Sequence, residues 1–196
     1  RIESLEKIGE RDFVLTTNMD TKINASVVVI AGGLGCFEPR KPEVENLVQY
    51  ENGKGVSYMV LDPEAYRDKN LVIAGGGDSA LDWTIFLANV AKKVTLVHRS
   101  ESFRGAPDIV NKVMSLAAEG KINLLLNTNL TKVSGDTVLQ NVTVVDSKTK
   151  EEKVIVADNL IPLFGLSPKL GPIENWGLNI DKNAIEVNTD DYSTNI

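Results

Sequence analysis

Apolar residues in this chain fall into short runs and two helical stripes. Residues 70–74 (NLVIA) form a continuous apolar run, the pattern of a strand buried on both faces of a parallel sheet. After Gly75-Gly76-Gly77-Asp78-Ser79 the period changes. Ala80, Trp83, Thr84, Leu87 and Ala91 then share one helical face. Leu81, Ile85 and Ala88 make the opposite face apolar too, so this helix is expected to be enclosed. Residues 93–97 (KVTLV) are the next strand and run into His98 and Arg99. Residues 106–119 are a second helix, with Ile109, Val113, Leu116 and Ala117 as its stripe and Gly120 at its stop. Residues 122–126 (INLLL) are a third strand. Strand, helix, strand, helix, strand with short joints is an α/β pattern. Right-handed crossovers make these strands parallel.

Beyond residue 130 the pattern changes. Residues 131–134, 139–145 and 153–156 read as strands, and Val142 and Val144 alternate with the polar Asn141 and Thr143. This predicts an antiparallel meander in place of a crossover helix. Residues 159–162 (NLIP) return to the parallel sheet. Upstream, residues 11–17 and 25–30 are rich in Val, Ile and Thr and are predicted as strands. The second runs into Ala31-Gly32-Gly33-Leu34-Gly35, and Pro39 and Pro42 then mark a hinge. Residues 43–68 read as polar and irregular. After Gly165 little is periodic, apart from an expected strand at 184–187.

The glycines after residue 74 carry the first chemical signal. Gly75-x-Gly77-x-x-Ala80 stands between a buried strand and a helix. There the first small residue permits a tight turn, the second lets the backbone approach a pyrophosphate, and the third lets helix and strand pack closely. Free amides and the helix dipole then favour phosphate. Gly75, Gly76, Gly77, Asp78, Ser79 and Ala80 are the candidate pyrophosphate segment. Asp78 is expected to act as the helix N-cap, since a carboxylate against pyrophosphate would be repulsive. A tight turn without ligand is the bland alternative.

The end of the next strand indicates which nucleotide. An NAD-binding unit places Asp or Glu about 20 residues after the glycines, to hold the ribose 2′-hydroxyl. Here the strand ends in His98-Arg99-Ser100, with Glu101 close by and Arg104 following. Two guanidinium groups suit a 2′-phosphate, so NADPH is the expected cofactor. Alone, each arginine would read as a solvated surface charge. Ser100 offers a hydroxyl to the same phosphate, and His98, the single histidine, is expected to flank the adenosine end.

Composition excludes other classes. The chain has 196 residues, 42% of them hydrophobic, and a net charge of −6. An acidic balance argues against nucleic acid. No apolar run reaches the roughly 18–20 residues needed to span a bilayer, so no membrane association is expected. The single cysteine, Cys36, leaves no internal disulfide, CxxC pair or cysteine-rich metal site. It reads as a small buried residue, and a reducing cytoplasm fits. No side chain is expected to be a catalytic acid, base or nucleophile.

Gly75-Gly76-Gly77-Asp78-Ser79-Ala80 with Val97-His98-Arg99 and Phe103-Arg104 resembles the NADPH domain of thioredoxin-reductase-like flavoproteins. Where thioredoxin reductases carry a CxxC pair, this chain has residues 56–62 (VSYMVLD) without cysteine. It is therefore similar to the ferredoxin–NADP⁺ reductases of thioredoxin-reductase type. Pro39-Arg40-Lys41, Leu81-Asp82-Trp83, Leu170-Gly171-Pro172-Ile173 and Asn175-Trp176-Gly177-Leu178 look like the same branch. The resemblance implies a homodimeric flavoenzyme that binds FAD and moves electrons between NADPH and ferredoxin or flavodoxin.

The architecture it implies is a three-layer Rossmann-like dinucleotide-binding domain with flanking pieces of an FAD domain. Residues 1–42 would be an FAD-domain flank and hinge, 43–165 the NADPH-binding domain, and 166–196 the return toward the FAD domain. Ser100 departs from the family's usual second arginine. The chain starts at Arg1 and holds no FAD glycine motif. It is expected to be a fragment that binds NADPH and by itself does not reduce ferredoxin. The alternatives are a thioredoxin-reductase relative serving another acceptor without a dithiol, and a non-enzymatic NADP-sensing domain.

Overall fold

The computed structural model describes residues 1–32 and 36–196. The expected turn at Gly33, Leu34 and Gly35 lies outside the described residues, and so does the Cys36 side chain, expected to be buried. The chain divides into two compact units, one of Arg1–Glu38 with Leu166–Ile196 and one of Pro39–Gly165.

The first unit opens with an antiparallel sheet of β1 (Ile2–Gly9), β2 (Asp12–Thr17) and β3 (Lys22–Ala25). The sequence pattern did not indicate β1, and it placed a strand at 25–30. The strand is instead β3, ending at Ala25, and residues 26–30 form none. Val27 and Val29 are 75% and 82% exposed. β-Branched composition favours a pleated surface, but a strand also needs a partner, and among the described residues this segment has none. A short strand, β4 (Cys36–Pro39), follows.

The second unit is built on a four-stranded parallel sheet. Its strands are β5 (Asn70–Gly75), β6 (Lys93–Val97), β7 (Asn123–Leu125) and the later β11 (Asn159–Leu163), in spatial order β11-β5-β6-β7. The crossovers are α1 (Asp78–Leu87) and α2 (Pro107–Ala118). Gly120 has φ 72° just past α2, a backbone that suits a helix stop. The meander is β8 (Thr128–Gly135), β9 (Leu139–Asp146) and β10 (Glu152–Val156), antiparallel throughout.

The period-two pattern of β5 decides the layering. Leu71 and Ile73 pack with Leu81, Leu87 and Val113 of the helices. Val72 and Ala74 pack with Val133, Val142 and Val144 of the meander. Leu160 and Ile161 of β11 divide between the two cores in the same way. Each fully buried aliphatic side chain contributes about 1.5–3 kcal/mol. The continuous apolar run at 70–74 thus reflects a sheet covered on both faces.

Two expectations need correction. Helix α1 is less enclosed than predicted: Leu81, Ile85 and Ala88 do pack in the core, but Asp82 is exposed and Phe86 is 52% exposed, edge-on to Trp83. Residues 43–68 are not uniformly polar surface. They contain 3-10 turns at Leu47–Tyr50 and Pro63–Tyr66, which bury Leu47, Tyr50 and Tyr66.

The chain then returns to the first unit with β12 (Leu166–Lys169), which pairs with β4. A 3-10 turn at Gly171–Asn175 leads to Trp176, whose indole N–H donates to Glu3 O at 3.2 Å. A small hairpin of β13 (Ile180–Asp181) and β14 (Ala184–Ile185) stands where one strand over 184–187 was expected. Among the described residues no helix is long and apolar enough to cross a membrane.

Candidate functional site

Both faces of the parallel sheet are covered, so its ends are the places open to a ligand. The glycine segment lies at the carboxyl end of β5, and the 98–104 loop at the carboxyl end of β6. That edge is where open α/β sheets bind ligands.

The three glycines differ in what surrounds them. A Cβ on Gly75 would lie 2.6 Å from Leu163 O and 2.7 Å from the Ala80 Cβ. Gly75 and Ala80 are therefore small because β11 and α1 approach each other there. A Cβ on Gly76 would collide with the His98 ring. A Cβ on Gly77 would meet nothing within 4 Å. Packing thus accounts for Gly75 and Gly76, while the space above Gly77 is left open by the protein itself.

Gly77 is the N-cap of α1, without a side-chain cap bond, and Asp78 is the first helical residue. This corrects the expectation that Asp78 caps α1. Its Oδ1 instead accepts from the Ala106 amide at 2.8 Å, joining the start of α1 to the start of α2. The amides of Gly77, Asp78 and Ser79 donate to no acceptor among the described residues, as expected of a helix start. Asp78 and Ser79 are exposed. The residues present thus fit a pyrophosphate: free amides, a helix dipole and room for close approach.

The loop from 98 to 104 is held against this turn by its main chain. The Arg104 amide donates to Gly76 O at 2.8 Å. The His98 amide donates to Leu125 O at 2.8 Å, and its carbonyl accepts from Thr128 N at 3.0 Å. The His98 side chain is buried, stacked on Phe103 at 4.8 Å between ring centroids. Its Nε2 lies 3.0 Å from Ser102 O; a carbonyl only accepts, so this nitrogen carries the proton. Gly105 completes the contact, since a Cβ there would lie 2.6 Å from Leu81 Cδ1 and 3.0 Å from Asp78 Oδ1.

The structure therefore brings the 75–80 and 98–104 segments to one sheet end. His98 sits inside, against Gly76. Arg99, Ser100 and Arg104 are exposed, and neither guanidinium forms an ion pair among the described residues. Glu101 pairs with Lys148, which holds its carboxyl below the usual range. The sequence reading missed Lys148, 47 residues away along the chain, and it gave Gly105 no role. Spacing gives no signal for such a long-range pair.

A cavity of about 490 Å³ opens beside β11, lined among others by Lys41, Glu51, Tyr58, Met59 and Asn159. Its polar groups satisfy one another. Lys41 Nζ donates to Glu51 Oε1 at 2.8 Å, and Tyr58 OH donates to the same oxygen at 2.6 Å. Burial, then the Glu51 carboxylate, push the Tyr58 phenol well above its ordinary value. Among the described residues no cluster of His, Cys, Asp or Glu could hold a metal ion.

A parallel sheet covered by helices and a meander, with a glycine turn at its carboxyl edge, defines a Rossmann-like unit of the dinucleotide-binding class. The whole chain, residues 1–196, matches the family described as pyridine nucleotide-disulphide oxidoreductase, and it belongs to that family.

It is 54% identical over 198 residues to ferredoxin–NADP reductase 1 of Christiangramia forsetii, covering 100% of this chain and 56% of that protein. It is 52% identical over 197 residues to ferredoxin–NADP reductase of Flavobacterium johnsoniae, covering 100% of this chain and 55% of that protein. The chain thus spans 55–56% of the length of these relatives. Among solved structures, Lactococcus lactis thioredoxin reductase superposes with a TM-score of 0.81 at 25% identity, covering 100% of this chain and 62% of that one. Thioredoxin reductase from T. acidophilum gives 0.80, also at 25% identity, with the same coverage of each chain.

Proposed function

We propose that this chain is the NADPH-binding part of a flavoprotein oxidoreductase that passes electrons between NADPH, FAD and ferredoxin or flavodoxin. The observation that carries the nucleotide part is the Arg104 N–H bond to Gly76 O. It fixes the arginine loop beside the glycine turn while leaving both guanidinium groups exposed. In this reading the amides of Gly77, Asp78 and Ser79 hold the pyrophosphate over the open space at Gly77. Gly75, Gly76 and Ala80 shape the turn, and His98 supports it from beneath. Arg99 and Arg104 converge on the 2′-phosphate, with Ser100 offering a further hydrogen bond. NADPH, when bound, supplies a hydride that a flavin can take up. This chain's residues bind and orient the nucleotide.

The electron acceptor is inferred from the relatives named ferredoxin–NADP reductase. In this reading residues 1–42 and 166–196, which include the compact unit of Arg1–Glu38 with Leu166–Ile196, belong to the FAD side and its hinge. A homodimer in the cytoplasm completes the reading.

Calorimetric titration of Arg99→Ala and Arg104→Ala with NADPH and NADH tests the nucleotide part. Each variant should lose about 1.5–3 kcal/mol toward NADPH, one to two decades in Kd, with NADH almost unchanged. Equal losses for both nucleotides would refute the 2′-phosphate role. Flavin absorbance and NADPH-driven reduction of ferredoxin, flavodoxin and dithiol proteins by the whole protein test the remainder. No flavin would favour a sensing domain, and turnover with dithiol proteins alone would favour the thioredoxin-reductase relative.

A further inference from the structure

The 98–104 loop contains a single carboxylate, Glu101, between the two arginines assigned to the phosphate. A free carboxylate near a strand end of this type accepts from a ribose 2′-hydroxyl and repels a 2′-phosphate. Here Glu101 is bonded to Lys148 Nζ. Lys148 is delivered to it by a defined path. Asp146 Oδ1 accepts from the Lys148 amide at 2.7 Å and the Thr149 amide at 2.9 Å, fixing the turn after β9. The Ser147 amide donates to Asn127 O at 2.7 Å, and the Asn127 amide to Ser100 O at 3.3 Å. The meander turn is thereby joined through Asn127 to the residue preceding Glu101. Lys150 Nζ is turned back onto Ser147 O at 2.8 Å, so Lys148 is the lysine of this turn that reaches the loop.

The side chains of Lys148 and Glu101 are 60% and 68% exposed. A pair so exposed adds little to stability. Its consequence is the charge it presents to its neighbours. We infer that Lys148 is a cofactor-specificity residue: by engaging Glu101 it withdraws the loop's carboxylate from the adenosine ribose and preserves the preference for NADPH set by Arg99 and Arg104. The inference rests on the nucleotide reading above, and it adds a residue from the meander that a crossover helix in the same place would not supply.

The test is titration of the full chain and its Lys148→Ala, Glu101→Gln and double variants with NADPH and NADH. Lys148 is exposed and enters the bonds that fix its turn only through its backbone amide, so the alanine variant should fold, as a thermal melt would show. Lys148→Ala should weaken NADPH about fivefold, the scale of one unscreened carboxylate a few ångströms from a phosphate in water. NADH should hold or gain. In the double variant NADPH affinity should return to within about twofold of the parent, because the two sites are coupled. High salt should shrink the single-variant effect.

Equal weakening of both nucleotides by Lys148→Ala, or no recovery in the double variant, overturns the inference. If Arg99→Ala still loses NADPH selectively, the nucleotide reading survives that failure. If the parent shows no NADPH preference and Arg99→Ala changes nothing, the nucleotide reading fails and the inference falls with it.

Discussion

Replacing Gly75 by alanine and Gly77 by serine separates what the fold requires of the glycine turn from what a ligand requires. At Gly75 the new Cβ would sit 2.6 Å from a backbone oxygen and 2.7 Å from another Cβ. Carbon atoms normally rest about 3.5–4.0 Å apart. Helix α1 and strand β11 would have to part by roughly 1 Å, an overpacking cost of about 1–3 kcal/mol. In a chain of this size that lowers Tm by about 2–12 °C. At Gly77 nothing lies within 4 Å of the new Cβ, and serine is at least as good an N-cap as glycine. Tm should therefore stay within about 2 °C. Nucleotide binding should respond oppositely. The serine side chain fills the space assigned to the pyrophosphate and displaces an amide–phosphate bond of about 1.5–3 kcal/mol, so NADPH affinity should fall about 10- to 100-fold. The assay is a thermal melt paired with calorimetric titration. Gly77→Ser binding NADPH like the parent would refute the placement of the pyrophosphate. Gly77→Ser melting as low as Gly75→Ala would refute the open space itself.

Asp78→Ala removes the acceptor of the Ala106 amide and should cost about 1 kcal/mol in urea denaturation; no loss would show that this bond does not hold the two helix starts together. At Glu51 burial opposes ionisation, but the bonds from Lys41 and Tyr58 outweigh it and hold the carboxyl below 4.5. A folded pKa below the unfolded one adds stability that is full above the ordinary carboxyl range and lost as pH falls through the folded value. Glu51→Gln should flatten the acid limb of Tm against pH below about 4.5, and an unchanged limb would remove Glu51 from the account.

The elements legible in the sequence are those whose partners are local or whose faces are both buried. β5, α1, β6, α2 and β7 show their periods because each packs on a neighbour in the chain. The meander shows its period because Val142 and Val144 join the hydrophobic core while the polar Asn141 and Thr143 stand between and beside them. β1 was not legible. Its apolar residues Ile2, Leu5 and Ile8 are three apart, and pairing irregularities between Ile2 and Ser4 and between Lys7 and Gly9 break the period of two. Residues 26–30 show the reverse failure, since strand-like composition carries no information about whether a partner strand is present.

The glycine turn was also legible, because close approach at Gly75 and Gly76 restricts which residue types can occupy it, and the arginine segment was legible as the continuation of β6. How the two segments meet was not. Arg104 is stapled through its backbone N–H, which every residue except proline possesses, so composition cannot reveal the bond. If the loop binds a phosphate as proposed, the same fact bears on how it would do so. Were the loop anchored by its arginine side chains, binding a phosphate would mean breaking the anchor. Here the anchor consists of main-chain bonds, the stacked His98 and Phe103 rings and the close approach of Gly105 to Leu81. The guanidinium groups are thus left without an ion-pair partner among the described residues, on a loop the fold already fixes, and less ordering of that loop would have to accompany capture of a phosphate.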